Sequence, residues 1–198
     1  SMVNKDILNS EFSLKLKKDI RLDLKLNSDL LKDAVSSALT LKSSLLNLSM
    51  PKLDVNLKSE NIKSDYTLNI QNLRNLYGLI GTKLNGAFNL TGHIQGSKEK
   101  ASISGVSKLF NSNPSFDLNL ENLNPSSAKF KVQNARLEKV LYTLNQPSYS
   151  KGFIDINADV LNLNPKTLKG NVTTEIKKGY VNNKTVNKLF DLKLKNKV

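Results

Sequence analysis

Ile20-Arg21-Leu22-Asp23-Leu24-Lys25-Leu26 alternates apolar and polar residues without a break. A period of two places every second side chain on one face, so this heptad reads as a β-strand with one apolar and one polar side. Phe12, Leu14 and Leu16 show the same period just before it. It recurs at Leu53-Val55-Leu57, Leu68-Ile70, Leu84 to Ile94, Phe116-Leu118-Leu120, Phe130-Val132, Phe153 to Val160, Leu161-Leu163 and Leu192-Leu194. Turn-forming clusters separate the runs: Lys17-Lys18-Asp19, Asn111 to Pro114, Asn124 to Ser127, and Asn164-Pro165-Lys166. Strands at this spacing make antiparallel hairpins. Leu is a weaker strand former than Val or Ile, but the pattern outweighs that propensity.

Three stretches break the period. Asp29 to Leu41 carries apolar residues at 30, 31, 34, 35, 38 and 39, a helical stripe with Asp29 as N-cap. Asn72 to Ile80 and Asn134 to Leu144 show the same i, i+3, i+4 spacing. These predict two or three short amphipathic helices covering an end or edge of the sheet. The second and third each lead through a short loop and a glycine into an alternating strand, a loose repeat about 60 residues apart. The fold class is therefore mainly β: an antiparallel, curved or folded-over sheet with an apolar groove. Ser1-Met2 reads as a cloning remnant and 3–198 as one β-rich segment of a longer, repeat-built protein.

Composition narrows the chemistry. The 198 residues include no Cys and one His, which excludes disulfides, thiol nucleophiles and Cys- or His-rich metal sites. No apolar run approaches the roughly 18 residues of a membrane helix. Polar sequence follows Ser1-Met2, so no signal peptide is read there, which leaves the location of a longer parent open. Asp155-Ile-Asn157-Ala-Asp159 starts like a calcium loop, but Val160 stands where Gly belongs and Lys166 where Glu belongs. His93 falls on the polar register of its strand, with no Ser-containing elbow to serve. Gly86, Gly92 and Gly96 lack dinucleotide or phosphate-loop spacing. No cofactor, metal or catalytic group is expected, and the chain does not read as an enzyme.

The net charge of +13 comes from 30 Lys and Arg against 17 Asp and Glu. The basic residues are spread along the chain and aromatics make up only 6%, on the apolar register. Single-stranded nucleic acid is usually held by aromatics interleaved with basic residues, so nucleic acid is not expected. A solvated outward register of the strands accounts for the charge, with anionic lipid headgroups as the alternative.

A resemblance then suggests what the apolar register is for. Gly86-Ala-Phe-Asn-Leu-Thr-Gly-His-Ile-Gln-Gly96 spaces glycines within an alternating strand. Lys151 to Leu161 follows a short helix, and Leu168-Lys-Gly-Asn-Val-Thr-Thr-Glu-Ile-Lys-Lys-Gly-Tyr-Val181 comes next. This order resembles the C-terminal part of AsmA-like proteins, relatives of the TamB translocation-module protein of Gram-negative envelopes, over roughly 72–190. The resemblance implies a long β-sheet rolled into an apolar groove. It also implies a periplasmic location, an inner-membrane anchor on the parent protein, and a part in phospholipid transport or outer-membrane homeostasis. Phospholipid or fatty-acyl chains are the expected partners, with an anionic membrane surface and other envelope proteins as further ones. The groove lining is expected at Phe88, Leu90, Ile94, Phe116, Leu118, Leu120, Phe130, Val132, Ile154 and Ile156. The alternative is that these residues pack on one another as a self-packed β-sandwich core, making the segment a structural or interaction module that scaffolds envelope assembly.

Overall fold

The computed structural model of the chain describes residues 2–12, 16, 18–164 and 166–191. Eleven strands follow one another: β1 (Met2–Val3), β2 (Ile20–Leu31), β3 (Ala34–Ser43), β4 (Asn47–Asn56), β5 (Ile62–Ile70), β6 (Phe88–Gly96), β7 (Lys100–Ser107), β8 (Ser115–Glu121), β9 (Asn124–Arg136), β10 (Ser150–Asn162) and β11 (Lys169–Val181). They form one sheet in chain order, every neighbouring pair antiparallel, and it does not close into a barrel. Four short helices accompany it: α1 (Lys5–Phe12), α2 (Tyr77–Ile80), entered through a 3₁₀ turn at Leu73–Leu76, α3 (Leu137–Thr143) and α4 (Asn183–Phe190).

A strict meander sorts its connections. Those after Leu31, Asn56, Gly96, Glu121 and Asn162 leave from one rim. Those after Ser43, Ile70, Ser107, Arg136 and Val181 leave from the other. The first, or hairpin, rim has short turns, such as Asn122-Leu123, where both residues take positive φ of 50° and 63°. Positive φ at both central residues is the hairpin geometry that matches strand twist. The second, or helical, rim carries α2, α3 and the start of α4. Asn85 ties two of its connections together. Its amide donates to the Tyr142 carbonyl at 2.7 Å, and its carbonyl oxygen accepts from Arg74 Nε at 2.7 Å. The first repeat-like unit passes from helix to strand through a positive-φ glycine, Gly86 at 96°; in the second, Gly152 at 140° is the third residue of β10 and marks a bulge against β11.

The expected helix over 29–41 is instead a hairpin. Leu30 and Val35 form one cross-strand pair, and Leu31 and Ala34 another on the opposite face. The turn at Lys32-Asp33 splices two period-two strands, and the splice imitates i, i+3, i+4 spacing. β-branched Val35 and Thr40, with Ser36 and Ser37, oppose helix and suit a strand. The expected strand at Phe12–Leu16 is also corrected. Phe12 ends α1, and Leu16 is buried outside any strand, its amide and carbonyl bonded by the Asn9 side chain. Leu14 and the expected strand at Leu192-Leu194 lie outside the described residues. The turn expected at Asn124 to Ser127 sits two residues earlier, and Pro125 is the second residue of β9, beside a bulge.

Candidate apolar binding face

Cross-strand partners share a face, so the ladders show which side chains lie together. Phe88 pairs with Ile70, Leu90 with Leu68 and Ser107, and Ile94 with Ser64 and Ile103. Leu118 pairs with Ile103 and Ala128, Phe116 with Gly105 and Phe130, and Leu120 with Ala101 and Pro125. Val132 pairs with Ile156, and Ile154 with Ala135. All ten candidate residues therefore stand on one face. The register extends it beyond them, through Leu22, Leu24, Leu26 and Leu30 of β2 at one side, and Val172 and Ile176 of β11 at the other. Across the regular ladders of β2 to β11, no charged residue falls on this face.

Its cover is uneven. Toward the helical rim, Val132, Ala135, Leu137, Leu141 and Ile154 form a buried cluster, with Phe110, Val140, Tyr149 and Ile156 packed against it. There α3 caps the face, so Val132 and Ile154 serve the chain's own core. Leu90 is also buried. Phe88, Ile94, Phe116, Leu118, Leu120 and Ile156 are half-buried, and Phe130 is exposed. Exposure rises toward both lateral edges, to 58% at Leu24 and 68% at Val172. The accessible surface is 14020 Å² for 22.0 kDa. A compact monomer of that mass exposes roughly 9,300 Å². The excess is what a sheet leaves when most of one face has no second layer.

The centre of the face has a tight feature. Tyr66 on β5 lies across β6, and its hydroxyl donates to the Ser104 carbonyl of β7 at 3.0 Å. The path runs over Gly92 and Gly105, a cross-strand pair. A Cβ on Gly92 would stand 2.5 Å from the tyrosine ring, and one on Gly105 would stand 2.9 Å from its hydroxyl. Only glycine leaves room at both. Burial pushes the Tyr66 phenol up from its ordinary pKa.

The opposite face is polar and nearly balanced in charge. The ladders place Arg21, Lys25, Lys42, Lys63, Lys100, Lys129, Lys131, Arg136, Lys169 and Lys177 on it, against Asp23, Asp29, Asp54, Asp65, Asp117, Glu121, Asp155, Asp159 and Glu175. Ten cations meet nine anions. The +13 charge therefore does not sit on the outward register as expected; it falls mainly on the connections, the helices and the segments outside the regular ladders. Surface depressions of about 520 Å³ near Asp65, His93 and Asp117, and about 330 Å³ near Lys129 and Asn171, belong mainly to this polar side.

His93 Nδ1 lies 2.8 Å from Asp65 Oδ1, and Ser104 is its partner on the next strand. That row has the residue types of a nucleophile, base and orienter. Among the described residues, however, no hydrogen bond joins the Ser104 hydroxyl to His93, and such a bond is what activates a serine. Asp155, first residue of the calcium-like stretch, is engaged by Lys177 Nζ and the Asn134 amide, and these hold its carboxyl below the ordinary range. Asn134 takes positive φ of 53° where β9 bulges against β10. The sequence pattern missed the outer apolar positions of β2 and β11 as part of the face, although their alternation is as regular as that of Phe88 to Ile94.

Compared with protein-family models, curated proteins and solved structures, the chain matches none.

Proposed function

We propose that this chain is a non-catalytic, AsmA-like segment of a periplasmic envelope protein whose uncovered apolar face binds or guides phospholipid acyl chains. On this reading the parent is anchored in the inner membrane and contributes to lipid transport or outer-membrane homeostasis. The observation that carries the reading is a face spanning ten strands that, among the described residues, has no charged residue in its regular ladders and no second sheet over most of its area. Contiguous apolar surface of that extent marks a site for an apolar partner. An acyl chain laid on it is shielded from water at about 0.8 kcal/mol per methylene. The glycine spacing over 86–96 and 151–181 supports the family assignment.

The test is native mass spectrometry of the purified chain with lipid extraction, followed by titration with a fluorescent fatty acid. Phospholipid should co-purify, and Phe130→Asp should weaken uptake while the far-UV spectrum stays unchanged. Phe130 is 40% exposed, so the substitution leaves the buried cluster intact. A lipid-free protein that ignores the fatty acid would sink the lipid reading and favour an interaction module.

A further inference from the structure

Beyond the two-residue β1, both lateral edges of the sheet are long strands with nothing beside them among the described residues. β11 is the last strand of the sheet, and all thirteen of its residues are exposed. β1 pairs with β2 only at Ile20 and Arg21, which leaves Asp23 to Leu31 without an outer neighbour. Sheets normally blunt such edges with proline, inward-pointing charge or very short strands. Neither strand contains proline, and neither puts a charge on the apolar face within its regular stretch.

We propose that the two edges are mates. β11 of one copy of this chain pairs with β2 of the next, head to tail, so that the sheet and its apolar face continue from copy to copy. This goes beyond the lipid reading and does not depend on it. Eight antiparallel strands lie between the edges, so β2 runs opposite to β11, as an antiparallel ladder requires. Setting two copies side by side with their rims level places Leu31 opposite Lys169. Lys25 then faces Glu175 and Asp23 faces Lys177 on the polar side, while Leu24 faces Ile176 on the apolar side. β11 stays regular up to Lys177 and bulges at Lys178, where φ is 47°. That is the rim at which β1 occupies the edge of β2.

The charges select this register. Slips must move two residues at a time to keep the faces aligned. One such slip sets Glu175 against Asp23, and the other sets Lys177 against Lys25. A two-fold pairing of β11 with itself sets Lys169 against Lys177 when centred at Thr173 but Lys169 against Glu175 when centred at Val172, so cross-linking, not charge, separates it from the β11–β2 pairing. Opposite charges facing across a ladder stabilise it and like charges destabilise it.

Sedimentation velocity of the whole chain over a range of concentrations tests the pairing. Mass should rise with concentration without stopping at two copies. Lys25→Glu or Glu175→Lys alone should weaken association by roughly fivefold or more. The double variant, with the charges exchanged, should restore it. The natural chain has no cysteine, so single thiols report the geometry. Leu24→Cys mixed with Ile176→Cys should give a disulfide-linked pair under mild oxidation, and neither variant alone should. A monomer at every concentration, a species that closes at two copies, a double variant no better than the singles, or cross-linking by one variant alone would each overturn the proposal.

Discussion

Gly92→Ala tests whether Tyr66 rests on the glycine pair as described. Gly92 has no positive φ, so its backbone accepts alanine without strain. By itself the change would stabilise by about 0.4–1 kcal/mol, because it restricts the unfolded chain. Steric contact reverses the sign. The new Cβ would stand 2.0 Å from the Ser104 carbonyl oxygen and 2.5 Å from Tyr66 Cζ. The first is backbone of the next strand and yields only if β7 moves. The second yields if the ring lifts, which breaks the 3.0 Å bond to Ser104. Overpacking of this kind costs about 1–3 kcal/mol, and the lost hydrogen bond about 1 kcal/mol. The net expectation is destabilisation of about 2–3 kcal/mol. In urea, with a slope of about 2 kcal/mol per molar, the midpoint followed by circular dichroism should fall by about 1–1.5 M. Gly105→Ala should cost less, because the atoms it meets are the ends of the Phe116, Leu90 and Tyr66 side chains. Tyr66→Phe should soften Gly105→Ala and leave Gly92→Ala nearly as severe. An unchanged midpoint for Gly92→Ala, or Gly105→Ala proving the more damaging, would refute the reasoning.

Ile154 and Ile176 are cross-strand partners, 7% and 56% exposed, so truncation should separate them. Ile154→Ala should cost about 2–5 kcal/mol in a denaturant titration and Ile176→Ala well under half of that. Asn85→Ala should cost about 1–3 kcal/mol, because it leaves buried polar groups of the helical rim unpaired, and hydrogen exchange should speed up first in the 72–87 and 137–146 segments. The Lys177 ammonium holds Asp155 below its ordinary pKa, so folding releases that proton more readily than the unfolded chain does. The resulting stability is present above the ordinary Asp value and disappears as pH falls through the lowered one. The gap in urea midpoint between the natural chain and Asp155→Asn should therefore hold from about pH 5 to 8 and shrink below about pH 4. On the alkaline side Lys177 is raised by the same partner, so its share persists until pH climbs past its ordinary value.

Period two is a local signal, and it carried most of the strands because a half-buried sheet imposes it residue by residue. Phe88 to Ile94 and Phe116 to Leu120 needed nothing more. Leu30 to Leu39 misled for a specific reason: two strands joined by a two-residue turn place apolar residues on both faces, and their sum has helical spacing. The helix at Lys5–Phe12 carries only a weak apolar stripe. That at Asn183–Phe190 carries Val186, Leu189 and Phe190 at i, i+3 and i+4, a short stripe that period two had left unread; its cap marks it too, where Asn182 Oδ1 accepts from the Thr185 amide at 3.2 Å. Which side chains share a face followed from parity alone. How deeply each is covered did not, because cover depends on how α3, the element just before β10, folds back over the sheet, and on the loop at Phe110, which is distant in sequence from β10.

The charge follows the same logic. Had +13 lain on the outward register, that face would repel its copies and attract polyanions along its whole area. At ten cations against nine anions, it does neither at long range, and close pairing decides what it meets. Most of the excess positive charge lies outside the regular ladders. An acyl chain on the apolar face would run between rims, and an anionic headgroup at its end would meet lysines such as Lys58, Lys98 or Lys184 in the connections and helices. The edges are the other exception to the balance, since there each charge has a neighbour on one side only. Lys25 and Glu175, remote within one copy, become the pair that a second copy would complete.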